Sequence, residues 1–196
     1  LHYIPFEALI TDSTGGTGFK DLPYLVGTHV VSYAPSASVL LQLHDAPKPK
    51  AQISRRSLLA VGDPVFSPES GLARLPFSGA EVTSIAAMFD AGQADVLTSE
   101  SASEARVKVA LGAQGYRYVH LATHGIVNED RPDFSGIAFA VGNSTDDGFL
   151  QAAEIFDLRI DADMVVLSAC ETGLGQMVRG EGLVGLTRAF MYAGAP

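Results

Sequence analysis

From Ser57 onward, short runs of strand-forming residues alternate with helix-patterned segments, and most of those runs are apolar at consecutive positions. A strand that is apolar at every position must be covered on both faces. Strands separated by helices return parallel to one another, with the helices forming the covers. The expected strands are 57–64 (SLLAVGDP), 94–98 (ADVLT), 116–125 (YRYVHLATHG), 137–141 (IAFAV) and 163–170 (DMVVLSAC). The expected helices are 78–91, 101–112, 149–158 and 181–194. Two of the helix starts match a capping box, in which Ser78 pairs with Glu81 and Ser101 with Glu104. The fold class that follows is α/β, with a mainly parallel central sheet flanked by helices.

The residues before this core read differently. TDSTGGTGFKD is a turn-rich loop, LVGTHVVSY (25–33) is an expected strand, and 36–45 is an expected short helix with Ser36 as its N-cap. The stretch 46–55 is polar, with two prolines, and reads as a surface connector. The expectation is one domain over 1–196, with 1–55 as an amino-terminal subregion and 56–196 as the core. Apolar residues make up 47% of the chain and charged residues 18%, enough apolar side chain to bury a core of that size.

Charge and cysteine usage narrow the function classes. The formal net charge is −9 and the Lys and Arg residues are scattered, whereas nucleic-acid binding needs clustered cations, so nucleic acid is not an expected partner. The chain has one cysteine, which rules out an internal disulfide framework and fits a reducing, cytoplasmic setting. No apolar run approaches the ~18 residues of a membrane-spanning helix, so no membrane contact is expected. The start, LHYIPFEALI, has no basic region like that of a signal peptide and no initiator Met, and the chain reads as a piece of a longer protein.

Two expected strands end in residues that can do chemistry. HLATHG ends on His124, with Gly125 turning the chain, and LSACETG ends on Cys170. In open α/β sheets, ligands bind outside the carboxyl ends of the strands. If the two strands are neighbours, imidazole and thiol share one edge. A free thiol with a pKa near 8.5 is mostly protonated at neutral pH, so it needs a base such as His124 to become a nucleophile. The freed backbone N–H groups of Gly125 and Cys170 are candidate donors to a developing oxyanion. Taken alone, though, a cysteine on an apolar strand is also what a small buried core residue looks like, and both readings stay open at this point.

Other patterns carry less. His120 and His124 have HxxxH spacing, which chelates on a helix, but on a strand the two Cα atoms lie ~13 Å apart, so no metal is expected. His120 is read as structural, on the same side of the sheet as His124. Gly180-Glu181-Gly182-Leu183-Val184-Gly185 matches GxGxxG, but it does not directly follow a strand and has no acidic residue about twenty positions later. It reads as close packing at a helix entry, and no cofactor is expected. NEDRPD (128–133) reads as a solvated loop, and Phe77 and Phe134 as packing aromatics.

HLATHG, PDFSGIAFA, DGFLQAAEIFDL, VVLSACETGLG and GEGLVGLTRAFMYAGAP, in this order, resemble the CHAT family of caspase- and separase-related cysteine peptidase domains. YIPFEAL, YLVGTHVVSYAPSAS, LLAVGDPVF and LPFSGAEV extend the resemblance over nearly the whole chain. It implies a caspase-like three-layer sandwich and a Cys–His dyad with Cys170 as nucleophile and His124 as base. It also implies oxyanion donors at Gly125 and Cys170, and no third catalytic side chain. The family is often bacterial and TPR-associated, which implies a regulatory domain or partner outside this chain, and a protein substrate. The segment that shapes the family's S1 pocket would follow Pro196, so the expectation includes a missing carboxyl-terminal edge strand. The acidic balance favours a basic residue before the scissile bond, as separases prefer. The resemblance is also compatible with a second outcome, a non-catalytic caspase-like interaction module.

Overall fold

The computed structural model describes residues 5–12, 18–32, 36–37, 40–41, 55–113, 115–128, 130–142, 146–168 and 181–195. Its contacts divide the chain into two compact units, Leu1–Asp45 and Ala46–Pro196.

The first unit has short 3-10 turns at Phe6–Ala8, Phe19–Asp21 and Leu25–Gly27. An antiparallel bridge joins Ile10 to Tyr24, with Leu25 N–H donating to Leu9 O (2.7 Å) and Thr11 N–H to Pro23 O (2.9 Å). The expected strand over 25–33 is not there: Leu25–Gly27 is a 3-10 turn, and residues 28–32 belong to no strand. Val30 is fully exposed, and β propensity is a preference for a pleated, half-buried surface that this segment lacks. The expected helix at 36–45 lies mostly outside the described residues, although Leu40 N–H donates to Ser36 O (3.0 Å), as in one helical turn.

The second unit is α/β. Four strands, β1 (Arg56–Pro64), β2 (Ala94–Ser99), β3 (Tyr116–Ala122) and β7 (Met164–Leu167), form a sheet in the order β2-β1-β3-β7, and every neighbouring pair is parallel. β1 is central, which is why Leu58, Leu59, Ala60 and Val61 are all at most 2% exposed. Alternation sends these side chains to opposite covers. Leu58 and Ala60 pack with Val82, Ile85 and Ala86 of helix α1 (Pro76–Ala86). Leu59 and Val61 share a core with Val107 and Leu111 of α2 (Glu104–Ala113) and with Leu186, Ala189 and Phe190 of α4 (Glu181–Ala193). Helix, sheet and helix make three layers, as in a caspase-like sandwich. Among the described residues, no helix is long and apolar enough to cross a membrane.

A second sheet is antiparallel, in the order β4 (Gly125–Ile126), β5 (Gly136–Ala138), β6 (Phe149–Gln151). The helix expected from 149 starts later, as α3 (Ala152–Phe156), because Phe149, Leu150 and Gln151 pair with Ala138, Ile137 and Gly136. The capping box sits there instead, between Gln151 and Glu154. Neither box expected from the sequence forms. α1 begins with Pro76, and Ser78 Oγ donates to Leu75 O (2.8 Å) and accepts from Asp63 N–H (2.7 Å), while Glu81 turns to His120. Ser101 Oγ is held by Thr98, and Glu104 accepts from the N–H groups of Gly148 and Phe149. In both cases the glutamate is drawn away from the local motif by a long-range partner.

The approach of α1 to β1 depends on Gly62. A Cβ there would lie 2.6 Å from Ser78 O and 3.0 Å from Val82 Cγ1. Gly62→Ala is therefore expected to cost about 1–3 kcal/mol by forcing the helix away. Thermal unfolding would read this as a fall of several degrees, and an unchanged melting temperature would show that α1 can back off freely.

Candidate active site

The carboxyl ends of β1, β3 and β7 lie side by side along one edge of the parallel sheet. β3 ends at Ala122, earlier than the sequence indicates, because the next residues leave to join the second sheet. Thr123 Oγ1 donates to Ala138 O (2.7 Å), and Ala138 N–H donates to His124 O (2.9 Å). Gly125 therefore begins β4 rather than a free turn. Because the bond from Ala138 flanks it, Gly125 forms a non-hydrogen-bonded pair with Ile137, and its own N–H points away from β5.

His124 is buried, 6% exposed, under the loop that connects β1 to α1. Its Nε2 lies 2.8 Å from Ala73 O, and the Phe66 ring stands 5.3 Å away, tilted by 48°. A carbonyl only accepts, so Nε2 carries the hydrogen. In the neutral ring, Nδ1 is left with the lone pair and is the atom able to take a proton. Sequence reasoning missed both Ala73 and Phe66. A main-chain carbonyl has no side-chain signature, and the GDPVF and LPFSGAEV blocks marked only a resemblance.

β3 and β7 are neighbours in register, with Leu121 opposite Leu167 and Ser168 N–H donating to Leu121 O (2.9 Å). His124 and Cys170 each stand three residues beyond that register pair. Cys170 itself, with 169 and 171–180, lies outside the described residues, and so does Gly180 of the glycine-rich segment. Neighbouring strands in a sheet run about 4.8 Å apart.

His120, by contrast, sits within β3 opposite Ala60 and Val166, and its Nε2 lies 2.7 Å from Glu81 Oε1 on α1. With His120 tied to Glu81 and His124 tied to Ala73, the two imidazoles do not converge on an ion. Among the described residues, no three His, Cys, Asp or Glu side chains do. Within NEDRPD, Asn128 Oδ1 accepts from Arg131 N–H (2.9 Å), and the Arg131 guanidinium lies 3.7 Å from the centre of the Phe134 ring. That loop is closed by its own contacts.

Phe66 also forms a wall of a cleft of about 710 Å3 at the carboxyl ends of β1 and β2, lined further by Val65, Glu100, Ser101, Arg106 and Val141. His124 does not line this cleft; the Phe66 ring, which does, stands 5.3 Å from the imidazole.

A family model described as the CHAT domain matches residues 1–196. No curated protein matches the chain.

Proposed function

The chain belongs to the CHAT domain family, which is caspase-like and peptidase-related, and on that premise we propose that it is a cysteine endopeptidase acting through Cys170 and His124. The observation that carries this reading is the pairing of β3 with β7, which leaves the two residues at the same count beyond paired positions on neighbouring parallel strands. The tautomer of His124 supports it, because with Nε2–H held by Ala73 O the lone pair of the neutral ring lies on Nδ1, the nitrogen that can take a proton.

In this mechanism His124 Nδ1 takes the Cys170 proton, and the thiolate attacks the peptide carbonyl carbon. The N–H groups of Gly125 and Cys170 stabilise the oxyanion. As the C–N bond breaks, the imidazolium returns its proton to the departing amine, leaving an acyl-thioester. Water, deprotonated by His124, attacks the thioester carbonyl and releases the acid and the free thiol. The substrate is a segment of a protein partner, and the cleft beside Phe66 offers room for part of that segment.

Because Cys170 is the one cysteine in the chain, every alkylation event reports on it. Iodoacetamide should modify the full chain rapidly at near-neutral pH. His124→Ala should slow the reaction about tenfold or more, since the thiol then returns toward its ordinary pKa near 8.5. If the wild type reacts no faster than an unperturbed thiol, the peptidase reading fails, and the caspase-like fold serves as an interaction module.

A further inference from the structure

The loop that holds His124 is itself held, and the holding residues lie outside the dyad. Asp63 stands near the end of β1, and its carboxylate accepts two parallel bonds from the Arg74 guanidinium, from Nε at 3.0 Å and from Nη2 at 2.5 Å. Arg74 is the residue after Ala73, whose carbonyl accepts from His124 Nε2. On the other side, Asp63 N–H donates to Ser78 Oγ, and Ser78 Oγ donates to Leu75 O (2.8 Å), so the main chain at 73–75 is fixed by two separate links to Asp63. Gly79 permits this closeness, since a Cβ there would stand 3.1 Å from Asp63 Cβ.

Asp63 adopts φ 47°, a left-handed conformation uncommon for a residue with a side chain. Its carboxylate is also mostly buried, with the side chain 14% exposed. Strain and burial of this kind persist where the surroundings impose them, and here they aim the carboxylate at Arg74. Between β1 and α1 the loop has only a 3-10 turn at Pro68–Ser70, and Ala73 is exposed. Without the fork, water would compete for the Ala73 carbonyl, and the imidazole would lose the bond that selects its tautomer.

We propose that Asp63 and Arg74 are positioning residues for His124, acting as a clamp on the Ala73 carbonyl that keeps the Nε2–H tautomer and presents Nδ1 to Cys170. This rests on the peptidase reading above. A bidentate fork provides direction as well as charge, so Arg74→Lys preserves only part of the clamp. Asp63→Asn keeps a residue that tolerates positive φ while removing the negative charge.

Two measurements on the full chain test the clamp. The first is the pH profile of Cys170 alkylation by iodoacetamide. Arg74→Ala should lower the rate near neutral pH about three- to tenfold, and by no more than His124→Ala does, because the clamp acts only through the imidazole. Arg74→Lys and Asp63→Asn should fall between that variant and the wild type. The second is the ring nitrogen NMR shifts of His124, which should report a single Nε2–H tautomer in the wild type and a mixture in Arg74→Ala. Variants with the wild-type pH profile and a single tautomer would overturn the clamp. A wild type with an unactivated thiol would instead overturn the peptidase reading, while the tautomer measurement would still decide the clamp. Arg74 is half exposed, so its replacement leaves the core intact.

Discussion

Cys170→Ala is expected to abolish cleavage of the protein partner, by at least about 10³-fold, without changing the melting temperature by more than a degree or two. The size of the loss follows from the role. A nucleophile and its base act as one unit, so removing either forfeits the covalent path and leaves only substrate binding and oxyanion stabilisation. His124→Ala should be as damaging, and the double variant scarcely worse than either single one. The cleanest readout is mass-spectrometric identification of the fragments that the full-length protein generates in its own cell lysate, with the Cys170→Ala variant as the comparison. Cleavage that persists in this variant would remove Cys170 from the mechanism. Unequal losses in the two single variants, with further loss in the double, would show that thiol and imidazole act separately.

The second large effect concerns stability, at Glu104. This carboxylate is 1% exposed, and Oε2 accepts from Gly148 N–H (2.8 Å) and Phe149 N–H (3.0 Å). Its other oxygen, Oε1, pairs with Lys108 Nζ at 2.5 Å. Lys108 also reaches Glu154 (2.7 Å) and Asp146 (3.1 Å), so one ammonium ties α2 to α3 and to the segment before β6. Burial opposes the charge on Lys108, but these carboxylates outweigh it and hold its pKa above the ordinary lysine value. Glu104→Ala removes the acceptor of the buried Gly148 N–H and one partner of a half-buried cation, whereas Phe149 N–H keeps Asp147 Oδ1 (2.9 Å) as an acceptor. The expected loss is about 3–5 kcal/mol, measured by urea unfolding. Glu104→Gln keeps an acceptor oxygen for Gly148 or Phe149 and should lose clearly less. A loss below about 1 kcal/mol in Glu104→Ala would mean that water enters and satisfies the Gly148 amide.

Glu104 also illustrates where sequence reading stops. Its spacing from Ser101 matches a capping box, and a local rule assigns it to the start of its own helix. The structure sends it to Gly148 and Phe149, more than forty residues away. The same happens at Ser78, which serves Asp63 and Leu75, and at Glu81, which serves His120. In each case a side chain with a plausible local partner is recruited by a distant one, because the tertiary contact also satisfies a group that packing has removed from water.

What could be read directly were the features that depend on neighbours in the chain. Strand and helix alternate, the strands are apolar on both faces, and β1, β2, β3 and β7 fall close to their expected positions. The hydrophobic pattern encodes this because the periods of strand and helix are properties of the backbone itself. The ordered motifs carried the family. By itself, the sequence also singled out His124 and Cys170 as reactive residues at or near strand ends.

Tertiary structure alone decided the rest. Nothing in YRYVHLA or MVVL says that these two strands lie side by side, yet the order β2-β1-β3-β7 is what brings the segments leading to His124 and Cys170 to one edge. Tertiary structure also split the segment from Phe149 between a strand and a helix, and among the described residues it gave 25–32 no strand partner. It chose the carbonyl of Ala73, an unremarkable residue in sequence, to hold the imidazole. Strand pairing and main-chain acceptance depend on which backbone groups meet across long stretches of chain. A backbone N–H or C=O looks the same at every residue until the fold decides what it faces.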